Sequence, residues 1–512
     1  MTPFQQFRVW VRRASTADRM SATLAAVVVL GLLGWLVVPV HHHTGADDQV
    51  SVGASGTGAT SPTSAPMAPG AAGTTTAAAA PASGTVAASA PGATSGSPAA
   101  AAPAAASGCA APPGADQGVT ATQIKVAISL VNIVGPAGNS TFGVPSTTEQ
   151  QTDFQQVIDA LNASGGVACR KLVPQFFEAN PVNSSDLQQK CLDIVQAKPF
   201  FVIDTGGFYG SPTTNCFPQH QLPFLGNGRL TASQRDQFYP YLFGQGSVET
   251  LYRNAVFALR DRGFFGAGNG FQKLGYFYRS CFPEITKGFL DSLHQAGVAA
   301  GQVVSYDLGC PDGFANPSDL QQALLKFRQS GVTHVTETSA TQDFANFTKL
   351  AQQQGFKPKY GLADDGIVPT SVGSLHPDFD NIAGAIAIDD SRFGEETTPG
   401  AVPSAGTARC NAIYQARGRP PVYQQSVGFG GVACGQIWMV VAAIDRAPAL
   451  RRSALADGLH AARAVDFPYP FGPADFNGPK VTYGGQFWRP VQFVSSCSCW
   501  RLADAAFHPS FP

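Results

Sequence analysis

The sequence predicts an α/β protein with two doubly wound, parallel-sheet lobes, preceded by a transmembrane helix and a disordered linker. Three observations support this prediction: an uncharged apolar segment near the amino terminus, a long stretch dominated by Ala, Pro, Ser, Thr and Gly, and a region in which strand and helix patterns alternate. A chain of 512 residues exceeds a single hydrophobic core, so the alternating region is expected to divide into lobes.

The apolar segment extends from Met20 to Val40 and carries no charged side chain. A helix of this length, at about 1.5 Å per residue, spans a hydrocarbon core of about 30 Å. Four arginines precede it and no Lys or Arg follows until Lys125, so residues 1–19 are expected to stay in the cytoplasm and the remainder to be exported. No small-x-small cleavage site follows Val40, which favours a single-pass cell-membrane anchor over a removed signal peptide.

Residues 41–117 form the predicted linker. They have almost no large apolar side chains from which a core could be built. A flexible coil of about 75 residues has a reach of about 50 Å, which suits a stalk that holds a domain away from a membrane. We interpret His41 to His43 as flanking residues rather than a metal site.

Composition excludes several classes of function. The 33 basic and 34 acidic residues nearly balance, and charged residues make up only 13% of the chain, so no nucleic-acid interface is expected. No nucleophile elbow, P-loop or metal-spaced His cluster occurs. Gly428 to Ala433 fits a dinucleotide-binding pattern, but a poor strand precedes it. We therefore expect neither an enzyme nor a cofactor.

Ten cysteines in an exported chain indicate disulfides.

The first predicted strand, Ile124 to Leu130, alternates apolar with small or polar residues and runs into a loop containing Gly135, Pro136 and Gly138. Further strand patterns follow at Lys171–Phe177, Phe200–Asp204, Pro223–Gly226, Lys273–Tyr278, Gln302–Asp307, Thr333–Glu337, Pro358–Leu362 and Ala383–Ile388. Apolar residues at three and four spacing predict helices at Thr148–Asn162, Asp186–Gln196, Val248–Arg262, Ile285–Ala296, Asp319–Ser330, Phe344–Gln354 and Val432–Arg446. Val481 to Phe493 alternates like a hairpin around Gly484 and Gly485.

The order of these elements and several local phrases resemble the type I periplasmic solute-binding proteins, specifically the branched-chain amino-acid receptors (Leu/Ile/Val-binding protein-like) of ABC importers. The resemblance covers about Gly118 to Ala503. The phrases that carry it are Gly118-Val-Thr with Ile124-Lys-Val, Val134 to Gly138, Asp193-Ile with Phe201 to Asp204, Lys273 to Phe277, Gly331 to Val335, Gly435 to Asp445, and Phe471-Gly-Pro with Phe476 to Gly478.

The resemblance implies two lobes joined by three hinge strands, with a small ligand trapped between them. Lobe 1 would comprise residues 118–245 and 367–470, and lobe 2 residues 246–366 and 471–512 with a carboxyl-terminal hairpin. The family's disulfide would pair Cys169 with Cys191. Cys281 and Cys310 end neighbouring strands and form a second plausible bridge, and Cys410 with Cys434 is a looser pairing. For Cys497 and Cys499 we expect a separate disulfide partner each, rather than a metal or redox pair.

A free α-amino acid needs donors for its carboxylate and an acid for its ammonium, because neither charge is stable when buried alone. In the family, loops after the third and fourth strands of lobe 1 supply the donors. Here those loops contain Gly207, Phe208 and Tyr209, and then Asn227 and Gly228. The family's hydroxyl pair is missing, so aromatic walls could instead contact a planar or apolar ligand, unless Phe208 and Tyr209 merely pack against helices.

Other parts of the predicted cleft come from the first loop and from lobe 2. The loop Val131 to Gly138 is expected to form one lip, with Asn132 as a ligand contact. By resemblance, Phe282 supplies an aromatic group, without the usual tyrosine hydroxyl. Asp343 or Glu337 supplies the acid, although Asp343 could equally cap a helix. We expect Asp364 and Asp365 to be solvated near the cleft mouth.

Two functions remain open at this point. The first is a membrane-tethered receptor that hands an amino acid or related compound to an ABC permease. The second is a sensory or structural ectodomain of the same fold without a transport role, which the anchor and long linker favour. About 19 residues before the membrane span are too few for a cytoplasmic effector domain.

Overall fold

The computed structural model describes residues 115–206, 208, 215–311, 314–364, 376–425 and 428–512. The predicted anchor lies outside these residues, as does the predicted linker except for its last three residues, Ala115 to Gln117. Among the helices of the described part, none has the length and hydropathy of a membrane span.

The described strands all lie in the alternating region. They are β1 (Gln123–Val131), β2 (Lys171–Ala179), β3 (Phe201–Asp204), β4 (Phe224–Leu225), β5 (Arg229–Leu230), β6 (Leu242–Phe243), β7 (Gly246–Ser247), β8 (Leu274–Tyr278), β9 (Val303–Asp307), β10 (His334–Thr338), β11 (Lys359–Ala363), β12 (Ile386–Asp389), β13 (Ala464–Asp466), β14 (Pro473–Asp475), β15 (Phe487–Val494), β16 (Cys499–Leu502) and β17 (His508–Pro509). Each of the nine predicted strands has an observed counterpart.

The described α-helices are α1 (Pro136–Thr141), α2 (Thr147–Ala163), α3 (Ser184–Ala197), α4 (Cys216–Gln219), α5 (Ala232–Phe238), α6 (Val248–Asp261), α7 (Pro283–Gln295), α8 (Pro317–Gln329), α9 (Thr341–Gln353), α10 (Ala405–Gln415), α11 (Phe429–Arg446) and α12 (Leu455–Ala462). All seven predicted helices are present. The unpredicted α5 begins at a capping box between Thr231 and Gln234, a Thr-x-x-Gln signal that is visible in the sequence.

Two sheets organise the described chain. The first has the strand order β2-β1-β3-β4-β6 and is parallel throughout. The second has the order β16-β15-β12-β11-β10-β8-β9, with β17 paired to β15. In this second sheet β8 to β12 are parallel, and the last three strands are antiparallel. Each sheet with its helices forms one lobe, called lobe 1 and lobe 2 below.

Each sheet is buried on both faces, as a parallel sheet requires. In lobe 1, helices α2, α10, α11 and α12 pack on one face, and α3, α4 and α5 on the other. In lobe 2, α8 and α9 cover one face, and α6 and α7 cover the other.

The chain crosses between the lobes three times, as the resemblance implies. It passes from the first sheet to the second after β6, returns after β12, and crosses again before β15. Two bridges hold these segments together: Gly244 pairs with Tyr483, and Ser391 pairs with Phe471. The three crossings therefore form one hinge.

Two predicted boundaries are wrong. Residues 367–470 were assigned to lobe 1, but β12 pairs with β11 and β15 in the lobe 2 sheet. Residues 471–512 were assigned to lobe 2, but β14 pairs with β13 and Phe476 lies in the lobe 1 core. A strand pattern identifies a strand but not its partner, which is chosen by packing in three dimensions.

The predicted hairpin at Val481 to Phe493 is also wrong. Gly484 and Gly485 lie in the hinge, where an added Cβ would be 2.7 Å from the Gln245 carbonyl oxygen and 2.6 Å from Asp390 Oδ2 respectively. These glycines therefore permit close approach of backbone segments rather than a tight turn. The observed turn lies between β15 and β16.

Four disulfides join described cysteines. Cys281–Cys310 and Cys410–Cys434 are formed as expected. The predicted Cys169–Cys191 bridge is wrong, because Cys191 on α3 pairs with Cys216 on α4, while Cys169 is disulfide-bonded elsewhere. Cys497 and Cys499 pair with each other, so the expectation of separate partners is also wrong.

Candidate functional site

The two lobes meet through the loops that follow their strands. Phe142 lies after β1 and α1 in lobe 1, and Phe314 lies after β9 in lobe 2. Their rings stack with centroids 6.4 Å apart. Loops at the carboxyl ends of parallel strands share one edge of a sheet, so this contact shows that these edges of the two lobes face each other. Sequence reasoning did not single out either phenylalanine.

The predicted lip after β1 is held by two asparagines. Asn132 donates to Glu178 Oε2 at 2.7 Å and accepts from the Gly135 amide at 2.7 Å. Asn139 is buried, donates to the Val131 and Pro145 carbonyl oxygens, and accepts from the Ile133 amide. Val134 is left 76% exposed. Asn132 thus shapes the lip, and its contact with a ligand stays a prediction.

Phe208 does not form a wall of the cleft. Its side chain is completely buried, and its ring packs edge-on against Phe217 at 5.0 Å and Phe224 at 6.2 Å in the lobe 1 core. The packing alternative is therefore the correct one, because an apolar ring gains more from a filled core than from exposure. Gly207 and Tyr209 lie outside the described residues.

The loop after β4 is tied to the hinge. Asn227 donates to the Thr205 carbonyl oxygen at 2.9 Å and accepts from the side chain of Gln245. The Gly228 carbonyl oxygen accepts from the Gln245 amide at 2.9 Å. This loop therefore links the ends of β3 and β4 to the first crossing between lobes. Ligand contacts by Asn227 and Gly228 stay predictions.

In lobe 2, Asp343 acts as a structural acid rather than an open ligand acceptor. Its carboxylate is fully buried and forms an ion pair with Arg279 at 2.7 Å. It also accepts from the backbone amides of Ala315, just before α8, and of Ala340, the residue before α9. The capping interpretation is therefore correct, with an ion pair that the sequence did not indicate. The Arg279 guanidinium and the two amides replace the hydration that the Asp343 carboxylate loses on burial.

The remaining candidates of lobe 2 differ in exposure. Glu337 is 2% exposed, and its carboxylate accepts from the amide and hydroxyl of Ser339. Asp364 is also 2% exposed, so the expectation that it is solvated is wrong; Asp365 lies outside the described residues. Phe282 precedes α7 and remains 42% exposed, which leaves it available for an apolar contact. Roles for Glu337 and Phe282 in ligand binding stay predictions.

A buried charge cluster occupies the hinge. Arg229 forms a two-point ion pair with Asp390, with Nε 3.1 Å from Oδ2. Next to it, burial raises the pKa of Asp389 well above its ordinary value, and the nearby carboxylates of Asp364 and Asp390 raise it further, whereas Arg489 opposes the shift. The ion pair connects the start of β5 with the residue that follows β12. Sequence reasoning missed it, although Arg229 directly follows the predicted Asn227-Gly228 pair.

A separate cavity of about 450 Å³ lies wholly in lobe 1. Its walls come from α1, the turn that follows it, the first turns of α2, and the segment that leads into α11. None of the predicted ligand contacts lines it. The described residues include no group of His, Cys, Asp or Glu side chains suited to hold a metal ion.

Comparisons with known proteins agree with this architecture. A family model described as periplasmic binding protein matches residues 140–496. A search of curated proteins finds no match. Among solved structures, the chain is similar to the branched-chain amino acid transporter substrate binding protein LivJ from Streptococcus pneumoniae in complex with isoleucine, at 15% identity and a TM-score of 0.53, covering 76% of this chain and 100% of that one.

Two further structures show the same fold. One is a fatty acid ABC transporter substrate-binding protein from Thermomonospora curvata, with 14% identity, a TM-score of 0.53, and coverage of 78% of this chain and 96% of that one. The other is a solute binding protein of an ABC transporter from Rhodopseudomonas palustris in complex with 3,4-dihydroxy benzoic acid, with 14% identity, a TM-score of 0.53, and coverage of 76% and 97%.

Proposed function

Because the chain belongs to the periplasmic binding protein family, we propose that it is an extracytoplasmic receptor that captures a small molecule between its two lobes and delivers it to an ABC importer. The observation that carries this proposal is the hinged, two-lobed arrangement. Three crossings join the lobes, and Phe142 and Phe314 bring the carboxyl-terminal loops of the two sheets together. A ligand held there would be enclosed by closure of the hinge.

The cleft chemistry favours an apolar or aromatic ligand over a simple aliphatic amino acid. Asp343 is engaged by Arg279 and two amides, and Glu337 accepts from Ser339, so neither acid is held ready for a ligand ammonium. In contrast, Phe282 and Phe314 are 42% and 49% exposed. Exposed aromatic side chains at a cleft mouth lose water contact when a planar or apolar ligand binds.

The ligand can be identified by native mass spectrometry of the full-length protein, purified in detergent without denaturation. We expect a retained small molecule with an aromatic ring or an apolar chain. Retention of leucine or valine would contradict the ligand class but support the receptor function. A cleft that stays permanently empty and closed across a ligand screen would contradict the receptor function itself.

We expect Phe282→Ala to weaken binding of the identified ligand about tenfold, because an aromatic anchor in an interface contributes on the order of 1–3 kcal/mol. Isothermal titration of the full chain measures this effect. Leu325→Ala is the matched control, since Leu325 is 40% exposed but lies on α8 away from the strand ends. Equal affinities for the two variants would show that Phe282 does not contact the ligand.

We further propose that Met20 to Val40 anchors the receptor in the membrane, with residues 41–117 as its tether. Supporting this proposal are the length and lack of charge of the segment and the arginines before it. We expect the full chain to remain in the membrane fraction after alkaline carbonate extraction, and deletion of residues 20–40 to release it. A mature amino terminus after Val40 would show instead that the segment is a cleaved signal peptide.

Transport and non-transport roles can be separated by the proteins that accompany the chain. Co-purification with a permease and its ATPase supports delivery to an importer. Co-purification with a membrane complex that lacks an ATPase would favour the sensory or structural role.

A further inference from the structure

Cys497 and Cys499 form a disulfide with each other at the turn between β15 and β16. Separate partners for the two cysteines would rule out a redox pair, but the observed bridge permits this chemistry. The bridge differs from the other described disulfides in its spacing, its redundancy and its surroundings. These differences indicate a chemical rather than a structural role.

The bridge adds little constraint to the fold. The three other described disulfides connect cysteines 24 to 29 residues apart, whereas this one has a sequence separation of 2. The stabilisation that a disulfide provides grows with the length of the loop that it closes. The turn is also closed without the bridge, because Val494 pairs with Cys499 and the Val494 carbonyl oxygen accepts from the Cys497 amide at 3.3 Å.

The sulfur atoms lie where a partner molecule can reach them. Both cysteines of the bridge are partly exposed, and the three serines of the turn are exposed. Their short side chains leave the bridge uncovered. By contrast, Cys191, Cys410 and Cys434 of two other bridges are completely buried. Exchange requires direct attack of a thiolate on a sulfur atom, so access separates reactive bridges from inert ones.

The residue enclosed by the bridge, Ser498, has an unfavourable backbone conformation. Its φ is 48°, in the left-handed region that residues other than Gly, Asn and Asp rarely adopt. The turn and the closed ring both hold Ser498 there, and opening the ring removes one of these two restraints. Strained and exposed disulfides are the ones that are readily reduced.

The strand places a cation on the same face as one of the two cysteines. Arg501 follows Cys499 by two residues on β16, and alternate residues of a strand share a face. The Arg501 Nε–H meets no hydrogen-bond acceptor in the described part of the chain. Trp500, between them, is buried and packs against Phe493. A guanidinium near a sulfur atom favours the thiolate, which makes Cys499 the better leaving group.

The bridge is remote from the cleft between the lobes. β15 runs antiparallel to β12, and Gln492 near the end of β15 pairs with Ile386 at the start of β12. The turn after β15 therefore lies at the edge of the sheet where the parallel strands begin. The opposite edge faces lobe 1. Chemistry at the bridge and ligand capture in the cleft thus use opposite ends of lobe 2.

We propose that Cys497 and Cys499 are a redox-active pair that exchanges its disulfide with a dithiol, a function that goes beyond ligand capture. A thiolate of the dithiol attacks Sγ of Cys497 to form a mixed disulfide, and the bond between Cys497 and Cys499 breaks. Cys499 leaves as a thiolate and takes a proton. The second thiol of the dithiol, once deprotonated, attacks the sulfur of its own molecule in the mixed disulfide, and Cys497 leaves and takes a proton. The dithiol is oxidised to a disulfide, and the pair gains two electrons and two protons.

The test follows reduction of the native full-length protein, purified in detergent, by dithiothreitol at neutral pH. Free thiols are alkylated at intervals and located by peptide mass spectrometry. We expect Cys497 and Cys499 to be reduced about tenfold faster than Cys281 and Cys310, or more. The Cys281–Cys310 bridge is the matched comparison because Cys310 is exposed and Cys281 is partly exposed. Exposure alone would therefore give the two bridges equal rates.

Arg501→Met tests the assignment of the leaving group. It should slow reduction of the Cys497–Cys499 bridge about threefold, because the departing thiolate loses its cation. Reduction of the Cys281–Cys310 bridge in the same molecule should not change. A bridge that serves only to hold the turn would not respond in this way.

A stability measurement separates the redox role from a structural one. Replacing Cys497 and Cys499 together by Ser should shift the midpoint of thermal unfolding by less than about 2 °C. The control, replacement of Cys410 and Cys434 together by Ser, should lower it by about 4 °C or more. The first double variant should bind the cleft ligand with unchanged affinity, so this proposal and the receptor function can fail separately.

Three outcomes would count against the pair. Equal reduction rates for the Cys497–Cys499 and Cys281–Cys310 bridges would overturn the redox role. Loss of as much thermal stability in the first double variant as in the control would show a structural bridge instead. An unchanged reduction rate in Arg501→Met would overturn the assignment of Cys499 as the leaving group.

Discussion

Replacement of Arg229 by Met is expected to lower the free energy of unfolding by about 3–5 kcal/mol, the usual effect of removing one partner from a buried ion pair. Met retains much of the aliphatic volume of Arg but cannot donate to Asp390, whose side chain is only 6% exposed. Asp389, Asp390 and Asp364 would then repel one another with less compensation. Urea unfolding of the full chain, followed by tryptophan fluorescence, measures the change.

The matched control is Lys480→Met. Lys480 also pairs with an acid, Asp236, at 3.2 Å, but the two side chains are 48% and 60% exposed. Such a surface pair contributes only about 0–1 kcal/mol. Adding Asp390→Asn to Arg229→Met should recover much of the lost stability, because the unpaired charge disappears. Equal destabilisation by Arg229→Met and Lys480→Met would contradict the structural role of the hinge pair.

Gly431→Ala is expected to destabilise the protein by about 3 kcal/mol, at the upper end of the range for overpacked sites. Gly431 lies in the first turns of α11, and an added Cβ would be 1.6 Å from the Tyr469 carbonyl oxygen. Backbone cannot rotate away as a side-chain tip can, so α11 or the segment at Tyr469 must shift. The free energy of unfolding, again from urea titration, is the quantity to compare.

Gly288→Ala provides the control in another helix. Gly288 lies in α7, and no atom beyond its chain neighbours and the backbone of its own helix is within 4 Å of an added Cβ. Here Ala should stabilise the protein by about 0.5–1 kcal/mol, because Gly is a poor helix former. If both substitutions change stability by the same amount, the close contact between α11 and Tyr469 is not present in solution.

Much of the fold could be predicted because local patterns carry it. Alternating and helical spacings of apolar residues located all nine expected strands and seven expected helices, and their β/α alternation indicates parallel sheets. The pairing of β12 and the end of lobe 1 could not be predicted in the same way. A short buried strand such as β12 is equally suited to either sheet, and only its neighbours decide.

The candidate site was harder to predict because a residue type does not state its partner. Glu337 lies at the end of β10 and Asp343 in the first turn of α9. Asp343 is neutralised by Arg279, which lies 64 residues earlier in the chain. Phe208 follows β3 as expected, yet its ring points into the core. Cys191 similarly had a plausible partner in Cys169, but the packing of α3 beside α4 brings Cys216 within reach.

The sequence by itself determined the α/β class and the order of elements and supported the expectation of an exported, tethered chain, because each rests on composition or on contacts between near neighbours. The family followed from the resemblance of several local phrases. Only the tertiary structure decided which acids are already paired, how the hinge is held by Arg229 and Asp390, and where the cavity with Asp153 and Arg419 lies. These features depend on side chains far apart in the chain. Their burial and electrostatic partners exist only after the lobes have folded.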